Sequence, residues 1–442
     1  MTRSMQSLEA EYREKTPKSR AQWERGKATM PGGVIKGAYL DSPYPHYVER
    51  AEGCYVWDID GNRYVDFGNH HSAMMLGHSH PDVVAAIKQE VERGLGLGGP
   101  TTLEAEIAEE ITGRFPSIDK VRFTNSGTES SLHATRMVRA ITGRPKIAKF
   151  EGAYHGSHDA LEVSTSTPLD KAGPAESPNS VAAWKGMSRS AEEDAVILPY
   201  NDRESVELIL REQKDEIAGV FYDAKGGLLD VPHEFTRFVR EITEELDIPM
   251  VMDEVVTFRT GYSGAQGLSG VEPDITYFGK AFGGGFPVGA IGGKERFMSI
   301  IDNSGEPTGL SQSGTFSGNS FTLAAGLANL RALTPELFEQ LGTLSGRLHA
   351  GMAKAFDGAG VPAQLLSEGA AAAFYLSDKP VRDHRSALEY PDHELTGRVN
   401  MGLLLKGYSL RGGIQFTISQ PMGTEHIDGL VGALEQVLAE GD

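Results

Sequence analysis

The sequence has a single cysteine, no long hydrophobic run and no excess of basic residues. Cys54 is alone among 442 residues, so the chain cannot form an intramolecular disulfide. No stretch approaches the roughly eighteen consecutive apolar residues that a membrane-spanning helix needs. Lys and Arg total 42 against 61 Asp and Glu, and a formal net charge of −19 repels nucleic-acid phosphates and anionic membranes. We therefore expect neither nucleic acid nor a membrane as a partner.

The composition is that of a globular protein. The chain is 39% hydrophobic and 23% charged, which does not fit a disordered chain. Residues 1–20 lack the apolar core of a signal peptide, and with only one cysteine this favours a reducing, cytoplasmic location. The length suggests two or three domains. No metal site is predicted.

The pattern along the chain predicts an α/β protein. Polar residues 7–28 predict a surface helix, and YVWDIDGNRYVDF predicts a β-hairpin around a turn at residues 60–62. From about residue 80, helical and apolar strand patterns alternate, which predicts a mostly parallel sheet between helices. The predicted strands are 121–124, 147–150, 195–198, 218–222, 249–252 and 275–278.

We predict three segments in two domains. Residues 76–325 form the large domain, while the N-terminal segment 1–75 and the C-terminal segment 326–442 together form a smaller α+β domain. Within 326–442 we expect strands at 372–376 and 415–418, and a last helix with Thr424 as its N-cap. The Ser- and Pro-rich segment 164–190 is either a mobile segment near a site or a solvated insertion without a role.

Three motifs carry groups suited to chemistry. Ser126 and Thr128 stand between a strand and a helix, where backbone N–H groups and the helix dipole favour a phosphate, although an ordinary capped turn has the same pattern. Asp253 and Glu254 end a buried strand, a common position for ligand-binding acids and also for helix caps. Lys280 follows another strand and precedes a glycine run, and could instead bind a phosphate.

Together these parts match the needs of pyridoxal phosphate. Its phosphate requires an anion site, its aldehyde forms a Schiff base with a lysine, and an acid keeps the pyridine nitrogen protonated. No single motif is specific, but the combination predicts this cofactor.

Many segments also resemble one enzyme family in the same order. The sequence resembles the class III (subgroup II) aminotransferases of pyridoxal-phosphate fold type I, in the branch of glutamate-1-semialdehyde aminomutases and β-amino acid aminotransferases. The resemblance runs from about residue 30 to 428. Its motifs are MPGG, YVWDIDGNRYVDF, GHSHP, RFTNSGTE, FEGAYHG, PYND, DEVVTFR, GVEPDITYFGK, GGGFPVGAIGG and SGTFSGN.

The resemblance implies roles for individual residues. Lys280 becomes the Schiff-base lysine and Asp253 the partner of the pyridine nitrogen. Tyr154 is expected to stack on the cofactor ring, and Val255 to pack on its other face. Lys280, Asp253 and Tyr154 are the implied catalytic residues.

The phosphate contacts imply an oligomer. Ser126, Gly127 and Thr128 are expected to hold the phosphate, joined by Thr315 from a partner subunit. The resemblance therefore implies a homodimer with shared active sites.

The substrate is indicated by departures from the family pattern. Lys36 falls where β-amino acid aminotransferases carry a carboxylate-binding arginine, and Arg411 falls where that branch binds the carboxylate of a 2-oxo acid. The serine, arginine and glutamate of the aminomutases are missing at the matching places. His70 and His71 stand where relatives have other residues, including an aromatic at the substrate-side wall, so they could bind substrate or shuttle a proton. Lys36 and Arg411 could also be surface charges, and His71 a packed residue.

These matches predict transfer of an amino group from a carboxylate-bearing amine, a β- or ω-amino acid, to a 2-oxo acid. The alternative is intramolecular transfer of the glutamate-1-semialdehyde 2,1-aminomutase type. A non-catalytic cofactor-binding protein is disfavoured because Lys280 and Asp253 are both present.

One departure lies at the cofactor itself. Most relatives have Glu-Pro followed by Gly-Asn, with the asparagine near the phenolic oxygen of the cofactor. Here the sequence reads FYDAKGGLLDVP, so Asp223 and Ala224 replace Glu-Pro and the segment is about two residues shorter. We expect the tuning of the cofactor to be unusual.

Overall fold

The structure is a computed structural model that describes residues 3–226, 228–305, 309–410 and 413–440. The chain forms two compact units, each described by itself below. Unit 1 contains Met1–His80, Glu339–Val381 and Tyr390–Asp442, and unit 2 contains Pro81–Phe338 and Arg382–Glu389.

Helices and strands are numbered in chain order. The helices are α1 Met5–Lys15, α2 Pro17–Lys27, α3 Asn69–Ser72, α4 Pro81–Arg93, α5 Thr102–Arg114, α6 Gly127–Thr142, α7 Arg189–Glu193, α8 Arg203–Gln213, α9 His233–Glu245, α10 Gly264–Ser269, α11 Glu295–Met298, α12 Ser320–Ala332, α13 Pro335–Gly358, α14 His384–Glu389, α15 His393–Leu405 and α16 Thr424–Ala439. The strands are β1 Val48–Glu52, β2 Tyr55–Asp58, β3 Arg63–Asp66, β4 Lys120–Thr124, β5 Lys146–Phe150, β6 Ala195–Leu198, β7 Ile217–Tyr222, β8 Met250–Asp253, β9 Ile275–Gly279, β10 Gly289–Gly293, β11 Gln364–Glu368, β12 Ala371–Tyr375, β13 Tyr408–Ser409 and β14 Gln415–Thr417. Short 3₁₀ turns lie at Pro31–Gly33, Gly37–Tyr39, Thr257–Thr260, Lys280–Gly283 and Ser299–Ile301.

Unit 2 is built on a seven-stranded sheet in the order β4-β10-β9-β8-β7-β5-β6. The five strands from β9 to β6 are all parallel. They are buried apolar runs, and α6 packs across β4, β7, β9 and β10. The predicted mostly parallel α/β sheet is therefore confirmed.

Strand β10 was not predicted and runs antiparallel to both of its neighbours. Its sequence GAIGG has little of the β-branched and aromatic character that marks a strand. The glycines are needed because space is short. A Cβ on Gly289 would overlap Ser126 O, Thr124 Oγ1 and Ser130 Oγ at the start of α6.

Unit 1 contains two small sheets. One has the order β1-β2-β3-β13 and includes the predicted hairpin, which is confirmed, and the other has the order β11-β12-β14. An aromatic cluster around Tyr12, Tyr44 and Trp23 packs α1 and α2 onto Met401 of α15.

Two local predictions were wrong. The predicted single helix over 7–28 is two helices, because Pro17 has no N–H to continue α1 and instead occupies the first position of α2. The last helix has Gly423, not Thr424, as its N-cap. The backbone N–H of Gly423 donates to His426 Nδ1 at 3.0 Å.

The segment 164–190 is held by hydrogen bonds. Ser164 N–H donates to Val181 O at 2.7 Å, and the guanidinium of Arg385 donates to three carbonyls at residues 172–174 while pairing with Glu151. Its mobility and role stay predictions. In the described part of the chain, no helix is long and apolar enough to cross a membrane.

Candidate active site

Four adjacent strands of unit 2 bring charged residues to one edge of the sheet. Strand β8 ends with Asp253. The residues that directly follow β5, β7 and β9 are Glu151, Asp223 and Lys280. Because these strands are parallel, their carboxyl ends share an edge, which is where ligands bind in such sheets.

Asp253 accepts a dense set of hydrogen bonds. Its Oδ2 lies 2.6 Å from the Tyr277 hydroxyl and 2.8 Å from His155 Nδ1, and its Oδ1 accepts the Val255 N–H at 2.9 Å. Burial lowers the pKa of His155 although Asp253 opposes this, so the imidazole is neutral and donates from Nδ1. A carboxylate has about four acceptor positions, so one position of Asp253 is not used by the described residues.

Glu254 faces a different environment from Asp253. Successive side chains of a strand point to opposite faces, and the fully buried Glu254 carboxylate accepts the N–H groups of Ala265 and Gln266 at 3.1 and 3.0 Å. Burial raises the pKa of Glu254 to about 7. Glu254 anchors the start of α10, which leaves Asp253 as the acid that faces the site.

Lys280 occupies a strained position beside this acid. Its φ is +49°, a left-handed conformation that costs a non-glycine residue about 1 kcal/mol or more and that is common at functional sites. Burial lowers the pKa of Lys280, while Asp253 and Asp223 oppose the change. More of the neutral amine is therefore present near neutral pH, which is the form that attacks a carbonyl.

The turn before α6 carries the residues that are predicted to bind an anion. Ser126 is the N-cap of α6, and its Oγ accepts the Glu129 N–H at 3.1 Å, so the N–H groups of Gly127 and Thr128 lie at the positive end of the helix dipole. Space is tight here: a Cβ on Gly127 would lie 2.9 Å from Val255 Cγ2.

The remaining predicted residues of unit 2 lie around this turn. Tyr154 is half-exposed and its hydroxyl lies 2.8 Å from Ser157 Oγ, while the N–H of Ser157 donates to Thr128 Oγ1. Val255 contacts Gly127, and Thr315 is exposed in a segment whose Ser317 lies 3.4 Å from Asn125. The partner-subunit role of Thr315 stays a prediction.

Two of the predicted substrate-binding residues lie together in unit 1. The Lys36 ammonium lies 4.2 Å from the centre of the Tyr39 ring, and His71 stacks on the same ring at 5.7 Å. Tyr39 and His70 line a cavity of about 380 Å³. Arg411 lies outside the described residues.

His71 lies in an unusual left-handed run. All four residues of α3 have positive φ, which is rare for non-glycine residues. The run is held at its start by Asp66, which accepts two backbone N–H groups, and by the Asn69 side chain, which donates to Thr417 O at 2.6 Å. Such strain persists only where the surroundings fix it, and it clusters at functional sites.

Sequence reasoning missed the partners of Asp253. His155 follows Tyr154 directly in FEGAYHG, and Tyr277 precedes Lys280 in DITYFGK, so both lie inside motifs already singled out. Nothing in the pattern indicates which neighbour of a motif residue points inward, and only the fold shows it.

The residues fit pyridoxal phosphate. The free acceptor position of Asp253 suits a pyridinium N–H, the turn at Ser126–Thr128 suits a phosphate, and His155 Nε2 is buried without a partner among the described residues. When bound, the cofactor supplies an electron-accepting ring for the carbon next to the amine. The protein supplies the amine of Lys280 and the negative charge of Asp253.

Comparisons with known proteins identify the family of the chain. The family model of the class III aminotransferases matches residues 38–438. A glutamate-1-semialdehyde 2,1-aminomutase 2 of Bacillus licheniformis is 39% identical over 380 residues, which cover 84% of this chain and 85% of that protein.

Solved transaminases have the same fold. The structure of an omega-transaminase from Sphaerobacter thermophilus is 37% identical with a TM-score of 0.92, and the match covers 95% of this chain and 97% of that one. A β-phenylalanine aminotransferase from Variovorax paradoxus is 31% identical with a TM-score of 0.86, over 98% and 96% of the two chains. The predicted fold type I is confirmed. The chain therefore belongs to the class III aminotransferases, a family of enzymes that depend on pyridoxal phosphate.

Proposed function

We propose that this enzyme transfers an amino group from a carboxylate-bearing amine, a β- or ω-amino acid, to a 2-oxo acid. The observation that carries the proposal is the group formed by Lys36, Tyr39 and His71 in unit 1. Lys36 is exposed and fixed on an aromatic ring, so its ammonium is available for a carboxylate. The likeness to an omega-transaminase and a β-phenylalanine aminotransferase supports the same donor class.

In this proposal each residue of the site has a role. Ser126, Gly127 and Thr128 bind the phosphate, Tyr154 and Val255 cover the two faces of the ring, and Asp253 holds the proton on the pyridine nitrogen. The amine of Lys280 binds the cofactor. Once the donor amine has displaced it, Lys280 moves the proton from the donor carbon.

Arg411 and Thr315 complete the proposal. Arg411 would bind the carboxylate of the 2-oxo acid, and Thr315 would reach the phosphate of the partner subunit in a homodimer. The single cysteine supports a reducing, cytoplasmic location.

A second candidate is intramolecular transfer of the aminomutase type. It is favoured by the 39% identity to a glutamate-1-semialdehyde aminomutase. It is disfavoured because the stretch from Leu410 to Ser419 contains no acid where the aminomutases have a glutamate, and because Lys36 and Tyr39 replace their serine and arginine.

One experiment separates the two. The cofactor-loaded enzyme is incubated with single candidate amines and no acceptor, and products are identified by mass spectrometry. We expect stoichiometric pyridoxamine phosphate and a carbonyl product from a β- or ω-amino acid. Isomerised amine with the cofactor returned to its starting form would establish the aminomutase instead.

Lys280→Ala is the matched control for this experiment. It should lose the visible absorbance of the lysine-bound cofactor and form no carbonyl product over the same period. A variant with an unchanged spectrum would overturn the assignment of Lys280.

A further inference from the structure

Residues 154–158 meet the first turn of α6 at several points, and Ser157 makes two of these contacts. Its Oγ shares a hydrogen bond of 2.8 Å with the Tyr154 hydroxyl. Its backbone N–H donates to Thr128 Oγ1 at 3.2 Å. One residue therefore contacts both the tyrosine that is predicted to cover the cofactor ring and a threonine that is predicted to bind the phosphate.

Two further contacts hold the same segments together. Ser131 Oγ donates to Thr128 O at 3.0 Å, so it accepts from His158 Nε2 at 3.2 Å. Gly156 allows the close approach, because its φ is +109° and a Cβ there would lie 2.7 Å from Thr128 Cα. The backbone of residues 154–158 is therefore fixed against α6.

The segment that carries Ser157 is also anchored at the strand end. His155 directly follows Tyr154, and its buried side chain has Nδ1 2.8 Å from Asp253 Oδ2. Tyr154 itself is half-exposed. The hydrogen bond to Ser157 thus holds the hydroxyl end of a ring that packing leaves half-exposed.

The turn that accepts the Ser157 N–H is packed against the neighbouring strand. Thr128 directly follows Gly127 in this turn. A Cβ on Gly279 would lie 3.2 Å from Gly127 N, so the two backbones are close. Gly279 ends β9, and Lys280 is the next residue. The turn and the segment therefore reach the candidate site from two sides, and Ser157 joins them.

The N–H of Ser157 also orients the Thr128 hydroxyl. A hydroxyl has one donor and two acceptor positions, and the N–H occupies an acceptor position of Thr128 Oγ1. The hydroxyl proton stays available for an anion at the positive end of the helix dipole.

We propose that Ser157 is a positioning residue that couples the ring half of the cofactor site to its phosphate half. Its hydroxyl fixes the Tyr154 ring for stacking, and its N–H directs the Thr128 hydroxyl toward the phosphate. The inference rests on the proposed function for the roles of Tyr154 and Thr128, and it does not depend on the substrate.

The test measures binding to the full-length protein without cofactor. Pyridoxamine phosphate and pyridoxamine, which lacks the phosphate, are titrated in turn by calorimetry, since neither forms a covalent bond with a lysine. Ser157→Ala removes the hydroxyl and keeps the N–H. It should raise the dissociation constant of both compounds about threefold, because one hydrogen bond to the ring-covering residue is lost. Wild-type affinity in this variant would overturn the proposal.

Coupling to Tyr154 separates positioning from a general effect on the protein. Tyr154→Phe removes the other partner of the same hydrogen bond and should also raise both dissociation constants about threefold. The double variant should bind no more weakly than either single variant, because both changes remove one bond. Effects that multiply in the double variant would overturn the proposal.

Three variants serve as controls. Ser157→Thr keeps the hydroxyl and should bind as wild type does, whereas a threefold loss there would also overturn the proposal. Thr128→Val should weaken pyridoxamine phosphate but not pyridoxamine, because it changes only the phosphate half. Ser188→Ala removes another exposed hydroxyl, which pairs with Ser190 at 2.7 Å, and should change neither affinity.

Failure of this inference can be told apart from failure of the proposed function. Tyr154→Ala removes the whole ring and should weaken pyridoxamine more than Ser157→Ala does. If Tyr154→Ala binds as wild type does, the proposed role of Tyr154 is wrong and that of Ser157 falls with it. If Tyr154→Ala weakens binding and Ser157→Ala does not, only the positioning role fails. No substrate is present, so an error in the donor class leaves the result unchanged.

Discussion

Adjacent residues with the same chemistry take different roles at this site. Asp253 and Glu254 are both carboxylates, but Asp253 meets Tyr277 and His155 at the strand end while Glu254 binds backbone N–H groups of α10. Asp253 is the last residue of β8 and Glu254 the first residue after it, and their side chains point in different directions. A sequence can therefore indicate an acidic strand end without showing which acid is functional.

His158 illustrates how burial at one residue sets a pH dependence. Ser131 Oγ donates to Thr128 O, so it accepts from His158 Nε2 at 3.2 Å, which places a ring proton on Nε2. Burial lowers the pKa of His158 to about 4, so its imidazole is neutral near pH 7.

We predict that His158 makes the protein less stable in acid. The unfolded chain takes up a proton near pH 6.5 and the folded chain only near pH 4, so the stabilisation is complete above pH 6.5 and is lost as the pH falls to about 4. The whole shift corresponds to about 3 kcal/mol. In denaturant unfolding between pH 6.5 and 4, the free energy of unfolding of His158→Gln should fall less steeply than that of wild type.

The exposed His393 is the matched control. His393→Gln should keep the wild-type pH dependence. If the free energy of unfolding fell equally with pH in wild type and His158→Gln, His158 would not be the cause of the acid sensitivity.

At the scale of elements, the glycine-rich strand β10 decides how closely the sheet approaches α6. It pairs with β4 and β9 in register, placing Gly289 opposite Thr124 and Gly279. A Cβ on Gly289 would overlap the carbonyl oxygen of Ser126 and the hydroxyl groups of Thr124 and Ser130. None of these short groups can move far.

We predict that Gly289→Ala lowers both stability and cofactor affinity. The added methyl group would push the turn at Ser126 away from the sheet, and overpacking of this kind costs about 1–3 kcal/mol. Thermal unfolding with and without pyridoxal phosphate measures both effects, and the stabilisation by cofactor should shrink.

Gly113→Ala in α5 is its control, because a Cβ there meets nothing within 4 Å. This change should be neutral or slightly stabilising, since alanine favours helix more than glycine. Equal melting temperatures for Gly289→Ala and wild type would refute the packing argument.

At the scale of the whole molecule, the proposed homodimer makes a specific prediction about shared sites. Thr315→Asp should place a negative charge near the phosphate of the other subunit, while Lys280→Ala inactivates its own site. Each variant alone should be inactive. Co-expressed, they should form mixed dimers in which one site carries both defects and the other carries none, so activity should return.

Differently tagged subunits allow the mixed dimers to be purified and assayed. Their activity per dimer should be about half that of wild type if the two sites act independently. No recovery of activity in purified mixed dimers would mean that Thr315 serves its own subunit.

Much of the fold was predictable because it depends on local pattern. The parallel strands β5 to β9 are apolar runs between amphipathic helices, and the hairpin of β2 and β3 has a turn sequence that specifies it. Strand β10 and the break at Pro17 were missed. In the first case a tertiary constraint on space outweighed strand propensity, and in the second a single proline outweighed a helical pattern.

The sequence by itself determined the family and the cofactor, and it predicted the reactive residues, because Lys280, Asp253 and the turn at Ser126 lie in motifs whose order and residue types suit one chemistry. Only the tertiary structure decided what surrounds them. It placed His155 and Tyr277 on Asp253, turned Glu254 away, and fixed Lys225 beside Asp223. The contact of His155 with Asp253 joins residues 98 positions apart in the chain, and short-range pattern carries no information about such distances.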